Sequence, residues 1–311
     1  MPVLVDGTVV APPITPPPIA YSIARTGMRS IWTVGESVWD MTDAASGVML
    51  LPGVRGWNMT PIEQHTSESP AVAGAQNRGN RASVRPVEWP TLVYSTGSNL
   101  DWLDLDSAFW DTMNPSTTGT WSMIRPDGRV RSIDLRYASD DGGGNEDPVD
   151  AGWTIYGINL TAEQPFWRED PIVRRFTAVT PVSFLGSPGV LNISSPSQLA
   201  TASIPNPGDV AGWIVWTLSG PFDAAVVGVG GKTIDVPIPL AVGEFLTVWT
   251  APEAMGEVRD GAGVDRTDEL GAAAFTAVQP GDSQPLSLQL IGPGPGAYIE
   301  AALTPYYYRA W

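Results

Sequence analysis

The stretch from Ser98 to Met113, SNLDWLDLDSAFWDTM, decides how the rest of the chain is interpreted. It is the one convincing amphipathic helix in a sequence that otherwise has the pattern of strands and turns. Its large apolar residues recur at spacings of three and four and therefore share one face. They are Trp102, Leu105, Phe109 and Met113. Ser98 suits the N-cap, and Pro115 ends the pattern, so we expect a helix over residues 99–113.

A helix with several large aromatic side chains needs a wide apolar surface, and the sequence that follows supplies a β-sheet. Residues 119–125 and 129–138 have strand character, and Pro126-Asp127-Gly128 between them is a strong hairpin signal. Further short strands recur through the second half of the chain, separated by turns such as Pro207-Gly208-Asp209. Regular short strands with turn signals favour a β-sandwich or jelly roll. The predicted fold class is therefore mainly β.

The composition supports this fold class and bounds the number of domains. The chain has 311 residues, of which 33 are Gly, 30 are Pro and 13 are Trp, a composition typical of many short strands joined by tight turns. Its length favours two domains. We place an N-terminal β domain with one helix at residues 1–173 and a C-terminal β-sandwich at residues 174–311.

The formal net charge of −16 argues against a dedicated nucleic-acid-binding protein, which would show a basic patch. The chain contains no Cys, so neither disulfides nor thiolate metal sites are expected. Neither a signal peptide nor a run long enough to span a membrane is apparent. We expect a protein made in a cytoplasm and without membrane insertion.

Two polar or proline-rich segments are candidates for contacts between copies of the chain. Residues 1–20 form an arm with the sequence APPITPPPIA at its end, which is either a linker or an arm on a neighbouring subunit. Residues 60–81 lack core residues, so the region of about 55–85 is either a mobile loop or a projecting hairpin that packs on another copy. The candidate interface residues are Pro16, Pro17, Arg78, Arg81 and Arg85.

The acidic segment DDGGGNEDPVD at residues 140–150 suggests a calcium site, because hard cations take clustered oxygen ligands. The candidate ligands are Asp140, Asp141 and Asp147. The spacing does not fit an EF-hand loop, and a solvated turn is the favoured alternative. No cofactor is expected.

Catalytic motifs are weak throughout the chain. His65 is the only histidine and lies in the coreless segment, and no G-x-S-x-G sequence exists. Gly230-Gly231-Lys232-Thr233 resembles the end of a phosphate-binding loop, but a strand pattern follows where a helix is required. We predict that the protein is not an enzyme, and a cell-envelope hydrolase is the least favoured class.

Three stretches carry a resemblance to a known family. They are residues 103–135, the segment PFWREDP at residues 165–171, and IPNPGDVAGWIVWTLSGP at residues 204–221. In this order they resemble the distal tail proteins of long-tailed, non-contractile bacteriophages, especially the minor tail proteins of phages of actinobacteria.

The resemblance implies an N-terminal domain that closes into a ring, usually hexameric, between the tail tube protein and the tail-tip hub or baseplate. Genomic DNA would pass through the lumen without specific binding, and the protein would reside in the virion after assembly in the host cytoplasm. The resemblance also implies a galectin-like C-terminal sandwich. The competing function is a carbohydrate-binding module that attaches to host cell-envelope glycans, although no additional carbohydrate-binding insertion is evident.

Overall fold

The computed structural model describes residues 4–5, 8–9, 27–142, 147–177, 199–254 and 256–311. The chain divides into two compact units. The first comprises Met1–Trp167 together with Tyr308–Trp311, and the second comprises Arg168–Tyr307. The chain is mainly β with one sizeable helix, so the predicted fold class is confirmed. The sequence placed the division a few residues later and did not predict that the last four residues belong to the first unit.

The first unit is built on one antiparallel sheet with the strand order β4-β3-β9-β10-β11-β8-β5. Met41 joins the two ends of this order, because its N–H donates to Ser30 at 2.8 Å and its carbonyl accepts from Leu50 at 3.0 Å. The sheet therefore nearly closes on itself, which leaves little open edge. The elements up to the second unit are β1 (Leu4–Val5), β2 (Thr8–Val9), β3 (Arg29–Val34), β4 (Ser37–Asp40), β5 (Val48–Leu50), β6 (Ile62–Ser69), β7 (Val72–Ala82), β8 (Arg85–Tyr94), α1 (Asn99–Trp110), β9 (Thr118–Ile124), β10 (Val130–Asp140), α2 (Pro148–Ala151), β11 (Trp153–Ala162) and β12 (Trp167–Arg168).

Tryptophan side chains fill the interior of the first unit. Trp89 packs edge-on against both Trp32 and Trp121, with ring centroids 5.2 and 5.1 Å apart, and Trp121 lies 5.0 Å from Trp167. The alternation along β9 points Trp121 inward beside Gly119, where a Cβ atom would lie 2.2 Å from the Trp32 ring. The large indoles therefore require glycine at this position.

The predicted helix is confirmed, although it is three residues shorter than expected. Ser98 and Asp101 form a capping box at its start, and Trp102 and Phe109 are buried on its inner face. The helix ends at Trp110 because Thr112 donates its hydroxyl to the carbonyl of Phe109 at 2.6 Å. The helix therefore ends five residues before Pro115, the residue expected to terminate it. Met113 lies beyond the helix and is nevertheless buried.

The predicted hairpin after the helix is confirmed by β9 and β10. Their register pairs Ile124 with Val130, and Gly128 in the turn has a φ of 84°, which glycine adopts without strain. The pleat of β9 and β10 places their buried side chains in the tryptophan-rich interior.

The second unit is a β-sandwich around one core. A sheet with the order β13-β22-β15-β18-β19 and a sheet with the order β17-β16-β21 enclose Trp216, Leu246 and Ile299. The remaining strands are β13 (Ile172–Thr177), β14 (Ser203–Asn206), β15 (Ile214–Ser219), β16 (Ala224–Val229), β17 (Lys232–Val236), β18 (Phe245–Trp249), β19 (Val258–Asp260), β20 (Gly281–Pro285), β21 (Gln289–Ile291), β22 (Tyr298–Leu303) and β23 (Tyr306–Tyr307).

One strand predicted in this unit is wrong. Residues 275–278 have strand character in the sequence, but only an isolated bridge between Gly212 and Val278 forms there. The ring of Phe275 instead packs beside Gly256, where a Cβ atom would lie 2.3 Å from it. Side-chain packing takes the place of strand pairing at this position.

Candidate functional site: an exposed hairpin and its apolar base

A two-stranded hairpin in the first unit is the candidate site for contact with another protein. Strands β6 and β7 pair only with each other among the residues that the structure describes. Wherever their burial is described, their residues are exposed, except for the half-buried Ser67 and Ala82. An isolated two-stranded hairpin is marginally stable in water, so a partner packed on either face would stabilise it.

Large apolar side chains surround the base of this hairpin. Met59, Ile62 and Val84 are all exposed, and the side chains of Met59 and Val84 are exposed by 57% and 53%. The N–H of Ser83 donates to the carbonyl of Pro61 at 2.9 Å, which draws the two ends of the hairpin together. We call Met59, Ile62 and Val84 the apolar base. None of its members is among the predicted interface residues, although all three are apolar residues at the ends of the polar segment.

Two of the predicted interface arginines lie on the hairpin itself. Arg78 donates from Nε to the hydroxyl of Ser67 at 2.8 Å, and Arg81 pairs with Glu63 at 3.1 Å. Both bonds cross from β7 to β6 on an exposed surface, where such pairs contribute little to stability. Their guanidinium groups remain at the surface, where a partner could reach them.

Arg85 lies in a different environment, since its side chain is only 1% exposed. Its guanidinium donates to backbone carbonyls from three separate segments, at distances of 2.6–2.7 Å. The acceptors are Gly56, Asn58, Pro165 and Tyr308. Burial lowers the pKa of Arg85 to about 10, so the group remains charged at neutral pH. This side chain anchors its own chain, and the predicted interface role is left to Arg78 and Arg81.

The other two predicted contact residues are prolines of the N-terminal arm. Pro16 and Pro17 belong to residues 10–26, which lie outside the described part of the chain. Their assignment to a contact between subunits stays a prediction.

Two of the three candidate calcium ligands accept hydrogen bonds from neighbouring groups of the chain. Asp140 accepts the hydroxyl of Tyr137 at 2.6 Å, and Asp147 caps α2 by accepting the N–H groups of Val149 and Asp150. The Asp141 carboxylate lies beside Gly157. Among the described residues, no group of three or more His, Asp or Glu side chains is placed so that it could hold a metal ion.

Asp106, in the second half of α1, lies beside the aromatic side chain of Tyr156. Asp106 accepts the hydroxyl of Tyr156 at 2.9 Å, and the ring of Tyr156 lies 4.9 Å from that of Trp110. Burial raises the pKa of Asp106, and it also raises the pKa of Tyr156 to about 12. The Tyr137 bond instead lowers the pKa of Asp140.

His65 completes the set of residues singled out in the sequence. It lies exposed on β6 opposite Gly79.

Among the helices of the described residues, none has the length and apolar character needed to cross a membrane.

Comparison with known proteins identifies the fold. No protein-family model matches the chain, and no curated protein matches its sequence. Among solved structures, the Dit protein (gp 19.1) of phage SPP1, from the hub adsorption apparatus of phages that infect Gram-positive bacteria, is similar with a TM-score of 0.62 and 13% identity over 90% of this chain and 98% of that chain. Chains of the phage P2 baseplate in its activated conformation are similar as well. The chain from the baseplate structure with Ca has a TM-score of 0.53 and 12% identity, over 89% of this chain and 98% of that chain. The chain from the baseplate structure with Sr has a TM-score of 0.52 and 13% identity, over 89% of this chain and 97% of that chain.

The fold is therefore shared with the SPP1 Dit protein and with chains of the phage P2 baseplate, and the resemblance to phage distal tail proteins predicted from three short stretches of sequence is confirmed at the level of the fold. At 12–13% identity the similarity defines the architecture. The assignment of a role to the hairpin rests on the contacts described above.

Replacing Arg85 tests whether it anchors the first unit. We expect Arg85→Ala to lower the free energy of unfolding by about 3 kcal/mol, because the four backbone carbonyls lose the hydrogen bonds that the buried guanidinium donates. Arg85→Lys should recover only part of this loss, since an ammonium group cannot reproduce the planar fork. Urea unfolding measures both. Arg29→Ala is the control, because Arg29 forms an exposed pair with Asp40 and its loss should cost less than about 1 kcal/mol. Equal losses for Arg85→Ala and Arg29→Ala would contradict the anchoring role.

The opposite pKa shifts of Asp106 and Asp140 predict opposite mutational effects. A raised pKa in the folded state means that stability falls as pH rises from the unfolded value of 3.8 through the folded one. Asp106→Asn should therefore raise the melting temperature at pH 7 and leave it nearly unchanged at pH 3. The lowered pKa of Asp140 contributes stability above pH 3.8 that is lost in acid, so Asp140→Asn should lower the melting temperature at pH 7. Calorimetry at both pH values measures the melting temperatures of the two variants. If both substitutions changed the melting temperature in the same direction at pH 7, the assignment would be refuted.

Proposed function

We propose that this chain is a structural protein of a phage virion, located at the distal end of a long non-contractile tail. In this proposal, several copies form a ring, with six as the expected number, that joins the tail tube to the tail-tip hub. The observation that carries the proposal is a fold shared over 90% of the chain with the SPP1 Dit protein. The exposed hairpin supports it, because a ring-forming subunit needs a surface that its own fold leaves uncovered.

The way in which copies would join follows from the first unit. Its main sheet nearly closes, so adding a strand from a neighbour at an open edge is disfavoured. The contact would instead use the hairpin and the apolar base of one copy against a different surface of the next. Such a head-to-tail contact generates a ring when the rotation closes. Arg78 and Arg81 would provide polar contacts at its rim.

The acidity of the chain fits a ring through which DNA passes. Six copies at a formal charge of −16 would carry −96 in total. A negatively charged lumen repels the phosphate backbone, so DNA would slide through without specific binding, the inverse of phosphate neutralisation. The protein would then act through shape and subunit contacts, not through catalysis.

Excision of the hairpin tests the proposed contact. Because Pro61 and Ser83 are already hydrogen-bonded, a two-residue Asn-Gly turn can replace residues 62–82. Light scattering should show the intact protein as a ring of about 199 kDa, six times the 33.1-kDa chain, and the shortened protein as a folded monomer. Circular dichroism checks that the main sheet is retained.

Point substitutions provide a matched control for this experiment. Met59→Ser with Val84→Ser should weaken assembly, whereas Leu100→Ser should leave it unchanged, since Leu100 is also apolar and even more exposed but lies on α1. A ring of unchanged mass in the shortened protein would exclude the hairpin as the contact. A single copy per particle in an image of the assembled virion would exclude the ring.

A further inference from the structure

A concave site in the second unit lies outside the surfaces discussed so far. Two turns, around residues 239–245 and 260–266, enclose a cavity of about 390 Å³ at one end of β18 and β19. This volume lies in the range of sites that hold small organic ligands. The residues that matter for recognition are Glu244, Phe245, Asp260, Gly261 and Arg266.

The apolar element of this cavity is the ring of Phe245. Its side chain is 41% exposed although it begins a core strand. The ring rests against Gly261, where a Cβ atom would lie 2.8 Å from it, so the backbone of the second turn supports the ring. An exposed ring held in place by backbone offers a flat apolar platform at low entropic cost.

The polar element is a guanidinium and a carboxylate held slightly too far apart to bond each other. Glu269 holds Arg266 through two hydrogen bonds, and Asp260 is fixed because it accepts the N–H groups of Ala262 and Val264. Arg266 Nη1 and Asp260 Oδ2 are 3.9 Å apart, beyond hydrogen-bond distance. A hydroxyl group bound beside this pair would accept from Arg266 and donate to Asp260, since a hydroxyl does both.

The charges around the cavity restrict the ligand further. The carboxylates of Glu244, Asp260 and Glu269 outnumber the one guanidinium of Arg266, which leaves a local charge of −2. This charge disfavours phosphorylated, sulfated or carboxylated ligands. The charge therefore disfavours an anionic ligand. The Arg266–Asp260 pair and the ring of Phe245 instead match a ligand that carries hydroxyl groups and a flat apolar face, and neither feature requires the ligand to be charged.

We infer that this cavity is a binding site for a neutral saccharide in the pyranose form. A pyranose ring has an apolar face of C–H groups and a rim of hydroxyls, and the cavity pairs an aromatic platform with a hydroxyl-matching Arg266–Asp260 pair. The inference is independent of ring formation, because every residue in it belongs to the second unit.

Saturation-transfer NMR on the full chain tests the inference. The probes are methyl glycosides of glucose, galactose and mannose, together with N-acetylglucosamine, and glucuronic acid serves as the charged comparison. We expect at least one neutral probe to bind with its ring C–H protons in contact with the protein, and glucuronic acid to bind more weakly. Phe245→Ala should weaken binding of that probe about tenfold, and Phe245→Trp should retain it.

Phe275→Ala is the matched control, because Phe275 is 39% exposed in the same unit but does not line the cavity. Its binding should equal that of the unmodified chain. Absence of binding by every neutral probe, equal loss in Phe245→Ala and Phe275→Ala, or tighter binding of glucuronic acid would each overturn the inference. The mass measured by light scattering reports on ring formation separately, so failure of one proposal is distinguishable from failure of the other.

Discussion

The charged hydrogen bonds of Arg85 are the constraint on which the first unit depends. A guanidinium that is 1% exposed donates to the carbonyls of Gly56, Asn58, Pro165 and Tyr308, with no carboxylate among the acceptors. Burying a charge is costly unless hydrogen bonds replace its water. Here they do, and the five donors of arginine in one plane can serve several carbonyls at once. The result is a single side chain that connects residues far apart in the sequence, including the final turn of the chain.

The position of Arg85 also explains how an exposed hairpin can keep a defined position. Gly56 and Asn58 precede β6, and Arg85 begins β8, three residues after the end of β7. The same guanidinium therefore holds both ends of the segment, and the Pro61–Ser83 hydrogen bond closes it. Because the base is fixed in this way, the strands between need no core of their own, and both of their faces are left open for another chain. The hairpin can therefore have a polar sequence because the buried Arg85 beside it fixes its base.

The sequence predicts the elements whose signals are local. The helix at α1 follows from Trp102 and Phe109 at helical spacing, and the hairpin of β9 and β10 follows from Pro126-Asp127-Gly128. It cannot predict what depends on residues brought together by the fold. Arg85 at the end of a polar segment has the pattern of a solvated arginine, and only the folded chain supplies its four carbonyls. The end of α1 was misplaced for a similar reason, since the Thr112 bond to Phe109 acts before Pro115. No pattern in the sequence predicts the cavity at Phe245, because its aromatic ring comes from one turn and its Arg266–Asp260 pair from another.

The shapes of the two candidate sites favour different partners. The hairpin is exposed on both sides and pairs with no other strand among the described residues, and open surfaces of this kind can bind other protein chains over large areas. The cavity at Phe245 is concave, with one aromatic platform and a few fixed polar groups, which is the form of a small-molecule site. Each site lies within one unit, so the hairpin can be removed without altering a residue of the cavity. A protein with this arrangement can be held in an assembly by one unit and bind a ligand through the other, because neither contact uses a side chain that the other requires.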